Sequence, residues 1–145
     1  MTKVLSFIKE NAAAIFSLIA AIIVASCANR LTKASLEIQI REMISTARTN
    51  YVTYLAKIRD SNPQKEIESD PIERALLQDY ANAYDEACLK YLEKKVNRKS
   101  FETMYHTEIK NIVEGKSTAF LYENKDSFSS TLKAYERMKR KNLFS

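Results

Sequence analysis

Apolar and polar residues divide this chain into two unequal parts. From Asn11 to Asn29 the sequence NAAAIFSLIAAIIVASCAN carries no charged residue, and Ile15, Phe16, Leu18, Ile19, Ile22, Ile23 and Val24 leave it without a polar face. At ~1.5 Å rise per residue a helix over this run is about 28 Å long, close to the ~30 Å hydrocarbon core of a bilayer. A core helix of a soluble protein is normally shorter or keeps a polar face. With ~0.3 to 0.6 kcal/mol gained per strongly apolar residue, insertion is favoured by on the order of 3 kcal/mol. The pattern therefore predicts a transmembrane helix over 11–29, preceded by a short flank, 1–10.

Beyond Asn29 the period changes to that of amphipathic helices. Ile40, Ile44, Ala47, Tyr51, Tyr54 and Ile58 alternate spacings of four and three, the seam of a coiled coil. This predicts a juxtamembrane helix over 30–59, with its seam facing either a second copy or the protein's own later helices. Asp60-Ser61-Asn62-Pro63 should stop it, with loop to Ser69. A second helix, 71–95, opens on Asp70 as cap, Pro71 at the first position and Glu73 as the capping-box acid. Its predicted apolar face is Ile72, Leu76, Tyr80, Ala83, Ala87 and Tyr91, with Leu77, Tyr84 and Cys88 beside it. A third, 98–114, begins after Asn97, buries Phe101, Met104, Tyr105, Ile109, Ile112 and Val113, and ends at Gly115, where a left-handed cap residue is expected. A fourth, 127–141, turns Phe128, Leu132, Tyr135 and Met138 inward. The fold class is all-α: one N-terminal transmembrane helix continuing into a small helical bundle of about four helices, 30–145. One Gly and two Pro in 145 residues agree with long helices over tight-turned sheet.

Two finer features lie within the apolar run. Ala13, Ser17, Ala21 and Ala25 form a row of small residues at i, i+4 spacing, which lets membrane helices pack closely and points to a homo-oligomer through the anchor. Val24-Ala25-Ser26-Cys27 fits a bacterial lipobox, with Lys3 and Lys9 as its basic region and Ala12–Val24 as its apolar core. On that alternative the mature chain begins at a lipidated Cys27 and faces away from the cytoplasm. Glu10 against the apolar run, and Arg30 and Lys33 directly after Cys27, oppose it. Arg30, Lys33, Arg41 and Arg48 outnumber Lys3 and Lys9, which places the C-terminal domain in the cytoplasm.

Charge is unevenly placed. Residues 30–59 carry a net +4, residues 60–95 a net −4 and residues 96–145 a net +4, for +5 overall. The basic segments, ending in Lys139-Arg140-Lys141, suit anionic headgroups at about 1 kcal/mol per residue close to the surface. Lipid is thus the expected partner, beside an unidentified protein. A membrane-tethered nucleic-acid-binding protein is the alternative, disfavoured by so modest an excess of positive charge.

Stretches such as Tyr84-Asp85-Glu86-Ala87-Cys88-Leu89-Lys90-Tyr91-Leu92 and Tyr135-Glu136-Arg137-Met138-Lys139 give residues 70–142 a spacing of aromatic and charged positions that resembles small membrane-anchored bacterial proteins. The resemblance implies a single-pass protein of a bacterial inner membrane. Those proteins have no assigned activity, so it transfers no functional residue.

Catalytic chemistry is not expected. His106 is the only histidine, and a Cys88–His106 pair has no local orienting group or oxyanion site. Cys27 and Cys88 stand too far apart in the chain for a zinc motif, and one glycine cannot build a phosphate loop. No cofactor or metal is expected. The acids Glu66, Glu68, Asp70 and Glu73 are accounted for by a loop and a helix start. The function expected is that of a membrane-anchored structural or interaction module.

Overall fold

The computed structural model describes residues 11–61, 70–122, 127–141 and 143, without the side chains of Ala13 and Ser61. The flank 1–10, the Pro63 stop with its loop, and Phe144 lie outside the described residues. The described residues are helical, with no strand among them. They form α1 (Ala12–Ser61), α2 (Pro71–Leu92), α3 (Arg98–Glu114), a 3-10 helix (Lys116–Tyr122) and α4 (Ser129–Arg140). They divide into two compact units at Ser35/Leu36, and α1 contributes to both.

In the first unit every described residue from Ala14 to Thr32 is exposed. Phe16, Leu18, Val24 and Leu31 are each more than 60% accessible: 73%, 63%, 68% and 72%. The helix has no break at 29–33.

The second unit has a core of its own. The seam predicted on α1 is in register: Ile40 and Ile44 are buried, and Ala47, Tyr51, Tyr54 and Ile58 are half-buried, with Leu55 half-buried beside Tyr54. Ile40 and Ile44 join Tyr84, Cys88, Tyr91, Phe101, Tyr105, Ile109 and Met138 in one apolar cluster. The protein's own helices therefore cover the upper seam. Helix α4 packs mainly on α2 and α3, and the 3-10 helix lies on α3.

Six aromatic rings run through this core in sequence. Tyr51 stacks on Tyr80 (6.5 Å), Tyr80 meets Tyr84 edge-on (5.0 Å), and Tyr84 meets Tyr105 (6.1 Å). Tyr105 then touches Phe101 (4.9 Å), which stacks on Tyr91 (5.0 Å). Offset and edge-on pairs of this kind add about 0.5–1.5 kcal/mol each beyond burial. A tyrosine core is tenable only where the hydroxyls find acceptors, and carboxylates at the rim supply them. Tyr51 donates to Glu73 (3.1 Å), Tyr91 to Glu102 (2.5 Å) and Tyr135 to Glu114 (2.5 Å).

Helix ends follow local chemistry. Asp70 accepts the Ile72 N–H at 2.9 Å ahead of Pro71, and Asn97 accepts the Ser100 N–H at 3.1 Å, as predicted. Helix α2 stops at Leu92, three residues earlier than predicted, in a Schellman turn: Lys94 N–H bonds the Tyr91 carbonyl and Lys95 N–H the Lys90 carbonyl. Lys94 takes the left-handed position at φ 62°, where glycine is usual.

Three other expectations are corrected. The buried face of α2 is Glu73, Leu77, Ala81, Tyr84, Cys88 and Tyr91, with Ala83 and Ala87, while Ile72 is 58% exposed. The stripe is rotated by one position at its start because Tyr51 draws Glu73 inward. Gly115 is extended (φ −70°, ψ 136°), not left-handed. Its lack of a side chain serves close approach: a Cβ there would fall on the Asn111 carbonyl and 2.9 Å from the Thr118 hydroxyl. Helix α4 starts at Ser129 and buries Ser130, Thr131 and Ala134 beside Tyr135 and Met138, leaving Leu132 and Phe128 half-buried. Phe128 is left-handed (φ 56°) and offers no cap. The cap comes from α2, where Asp85 Oδ1 accepts the Thr131 N–H (2.8 Å) and hydroxyl (3.1 Å).

Candidate functional site

Two surfaces remain after the core is accounted for: the apolar length of α1 and an open groove on the second unit. Of the described helices, α1 is the one long and apolar enough to cross a membrane, and none of its apolar window is buried. A signal sequence would have the same length and composition. Ser17, Ala21 and Ala25 are exposed along one side of this helix, as their spacing requires; Ala13's side chain lies outside the described residues. Their exposure does not set them apart, because every other side of the helix is equally open. Cys27 is exposed within the helix.

The groove runs between α1 and α2, with a volume of about 510 Å³. Met43, Ala47 and Ala83 form its apolar floor. Glu42, Asp79 and Glu86 stand on its rim, and no Lys or Arg lines it. A smaller cleft of about 280 Å³ separates the start of α2 from the 3-10 helix. It contains buried Glu73, with Arg74 set over the Phe120 ring at 5.4 Å.

The groups considered for catalysis are held apart by their own partners. Cys88 is fully buried, and burial pushes its thiol pKa up against a hydrogen bond with Thr131 that lowers it. Such a thiol is inert. His106 sits half-buried on α3, with Nδ1 2.9 Å from the Glu102 carbonyl and Nε2 3.2 Å from the Thr107 hydroxyl. Asp70 and Glu73 act in the cap and as the acceptor for Tyr51, whose pKa is pushed up to about 12 by burial and by that carboxylate. Among the described residues no group of His, Cys, Asp and Glu could hold a metal ion.

The basic C-terminus is partly spent inside the domain. Lys141 pairs with Glu102 at 2.5 Å, Lys139 lies over the Tyr135 ring at 5.6 Å, and Arg137 lies over Tyr91 at 5.8 Å. Burial would raise the Glu102 pKa, but Lys141 and Tyr91 outweigh it and hold the carboxyl below its usual value. Lys133 and Arg140 are left pointing outward. The sequence reading missed the groove, because its two walls are far apart in the chain.

No family model, no curated protein and no solved structure matches this chain.

Proposed function

We propose that this chain is a single-span membrane protein whose α1 anchors a four-helix bundle on the cytoplasmic side, and that the bundle is a structural or interaction module. The observation that carries this reading is the contrast along α1. From Ala14 to Ala28 its surface carries no charge on any side and is uncovered, whereas from Ile40 onward the same helix turns one stripe into a core and its polar sides to water. An exposed apolar surface of that extent is unfavourable in water and marks a lipid or protein contact. A bilayer covers all sides of one helix at once; a single docking partner covers one side. The basic residues Arg30, Lys33, Arg41 and Arg48 after the run favour retention of that end in the cytoplasm.

Reporter fusions at the two ends test this directly. A C-terminal reporter active only in the cytoplasm, on protein that resists alkaline extraction from membranes, is the expected result. An externally active C-terminal reporter overturns the topology, and extraction into the soluble fraction overturns the anchor. The lipoprotein alternative makes a separate demand: Cys27→Ala would abolish lipid labelling and change the mobility of the mature chain. On the present reading it changes neither. The interaction role is tested by Cys88→Ala and His106→Ala, which should leave any cellular phenotype of the gene intact if no chemistry depends on them.

A further inference from the structure

The α1/α2 groove and the outer face of α4 carry matching charge patterns at the same spacing. On α2 the groove presents Asp79, Asn82 and Glu86, at i, i+3 and i+7, all exposed. On α4 the outward residues Lys133, Glu136 and Arg140 also stand at i, i+3 and i+7, and all three are exposed. Residues so spaced share one side of a helix, and each trio spans two turns, about 10 Å. Laid side by side in the same direction, the two rows give Asp79 opposite Lys133, Asn82 opposite Glu136 and Glu86 opposite Arg140. Each acid then meets a base, and the Asn82 amide can donate to the Glu136 carboxylate.

The groove offers more than the row. Its floor of Met43, Ala47 and Ala83 is apolar, and Glu42 adds negative charge on the opposite wall. Asp79 and Glu42 make no ion pair among the described residues, while exposed Glu86 has a half-buried partner one turn on, Lys90, at a long 3.7 Å. Helix α4 is 12 residues long, about 18 Å, and the α1 wall runs from Gln39 to Asn50, about 16 Å. The occupant and the groove are therefore of one length.

We infer that α4 of one copy docks in the α1/α2 groove of a second copy, in the register Asp79–Lys133, Asn82–Glu136, Glu86–Arg140. The two surfaces differ, so the contact is heterologous. Exposed charge pairs are individually weak and are screened within about 10 Å at 0.1 M salt. The association consequently belongs to copies concentrated in one membrane and falls with added salt. This inference rests on the membrane reading above, since attachment supplies the concentration.

The test uses the full chain in vesicles of zwitterionic lipid, with a carbodiimide that couples contacting carboxylates and amines directly. Wild type should give a dimer and higher bands, with Asp79 joined to Lys133 between chains. Lys133→Glu/Arg140→Glu alone and Asp79→Lys/Glu86→Lys alone should each lose the bands about tenfold, with unchanged circular dichroism. Mixing the two variants should restore them, because each then supplies the surface that fits the other. Bands in either variant alone at the wild-type level, a mixture that stays monomeric, or a monomeric wild type overturns the inference. Flotation with the vesicles separates the two readings. Protein that floats as a monomer refutes the contact alone, and protein that fails to float refutes the membrane anchor.

Discussion

Asp85→Ala removes a helix cap that belongs to another helix. The first turn of α4 has no local cap, because Phe128 precedes it in a left-handed conformation without a side-chain acceptor. The Thr131 N–H and hydroxyl both turn to Asp85 Oδ1, and Thr131 is fully buried. Alanine at 85 leaves two buried donors without this acceptor, at about 1–3 kcal/mol for an unsatisfied group. The loss of negative charge at a helix N-terminus adds roughly 0.5 kcal/mol. We expect about 3 kcal/mol in all. Asp85→Asn keeps an acceptor oxygen and loses only the charge, so about 1 kcal/mol is expected. At ~4 °C per kcal/mol for a domain of this size, the shifts in Tm are about 12 °C and about 4 °C. Thermal unfolding of the detergent-solubilised chain, followed by near-ultraviolet circular dichroism of the tyrosine core, reads both. Thr131→Val in each background gives the coupling, which should be about 1 kcal/mol. An Asp85→Ala shift inside the ~0.5 kcal/mol of an ordinary surface change, or one equal to that of Asp85→Asn, would refute the cap in trans.

Three further outcomes follow from local geometry. Lys94→Gly relieves a left-handed lysine at the end of α2 and should stabilise the domain by about 0.5–1 kcal/mol, read as a higher urea midpoint at unchanged slope. Gly115→Ala should cost about 1–3 kcal/mol, because its Cβ meets the backbone carbonyl of Asn111 and the Thr118 hydroxyl; a neutral result would mean that the turn after α3 can shift. Glu102 has a depressed pKa in the folded state, so its stabilisation is present above the unfolded value near ~4.3 and is lost as pH falls through the lower folded value. Glu102→Gln should therefore lower the urea midpoint at pH 7 and make little difference near pH 3; an equal loss at both pH values would contradict the ionic account.

How much of this was legible in the sequence depended on whether the determining contacts were local. Helix α3 runs from Arg98 to Glu114 as its pattern predicts, because its cap Asn97 and its buried Phe101, Tyr105, Ile109 and Ile112 are near neighbours in the chain, whereas Met104 and Val113, expected in the same stripe, are only half-buried. The seam on α1 was read in register for the same reason. Helix α2 was misread at its start because hydrophobicity alone places Ile72 inside and Glu73 outside. Tyr51, some twenty positions upstream, reverses the two. A left-handed turn is expected at Gly115 because helix ends commonly need one, whereas here the close approach of the Asn111 carbonyl and the Thr118 hydroxyl excludes a side chain. The Asp85 cap had no signal in the sequence, since Asp85 lies 46 positions from Thr131 and reads as one more acid on a helix surface.

The tyrosine-carboxylate pairs bear on what the anchor requires. Six linked rings give the second unit a large apolar interior, and Glu73, Glu102 and Glu114 satisfy hydroxyls at its margin. The core cluster also takes in Ile40 and Ile44 from α1. The later helices thus cover the upper part of the α1 seam, at Ile40 and Ile44, which leaves that part closed to a coiled-coil partner. Among the described residues nothing covers the apolar residues Ile15 to Leu31. On the reading proposed above, a bilayer reaches every side of this helix. Lipid does this without any shape matching, and small residues such as Ser17, Ala21 and Ala25 would then decide only whether a second helix lies alongside. Ala21→Ile separates the two contributions: in vesicles it should leave flotation unchanged while weakening any cross-link made through the anchor, and a loss of flotation would show that helix pairing, not lipid, covers this surface.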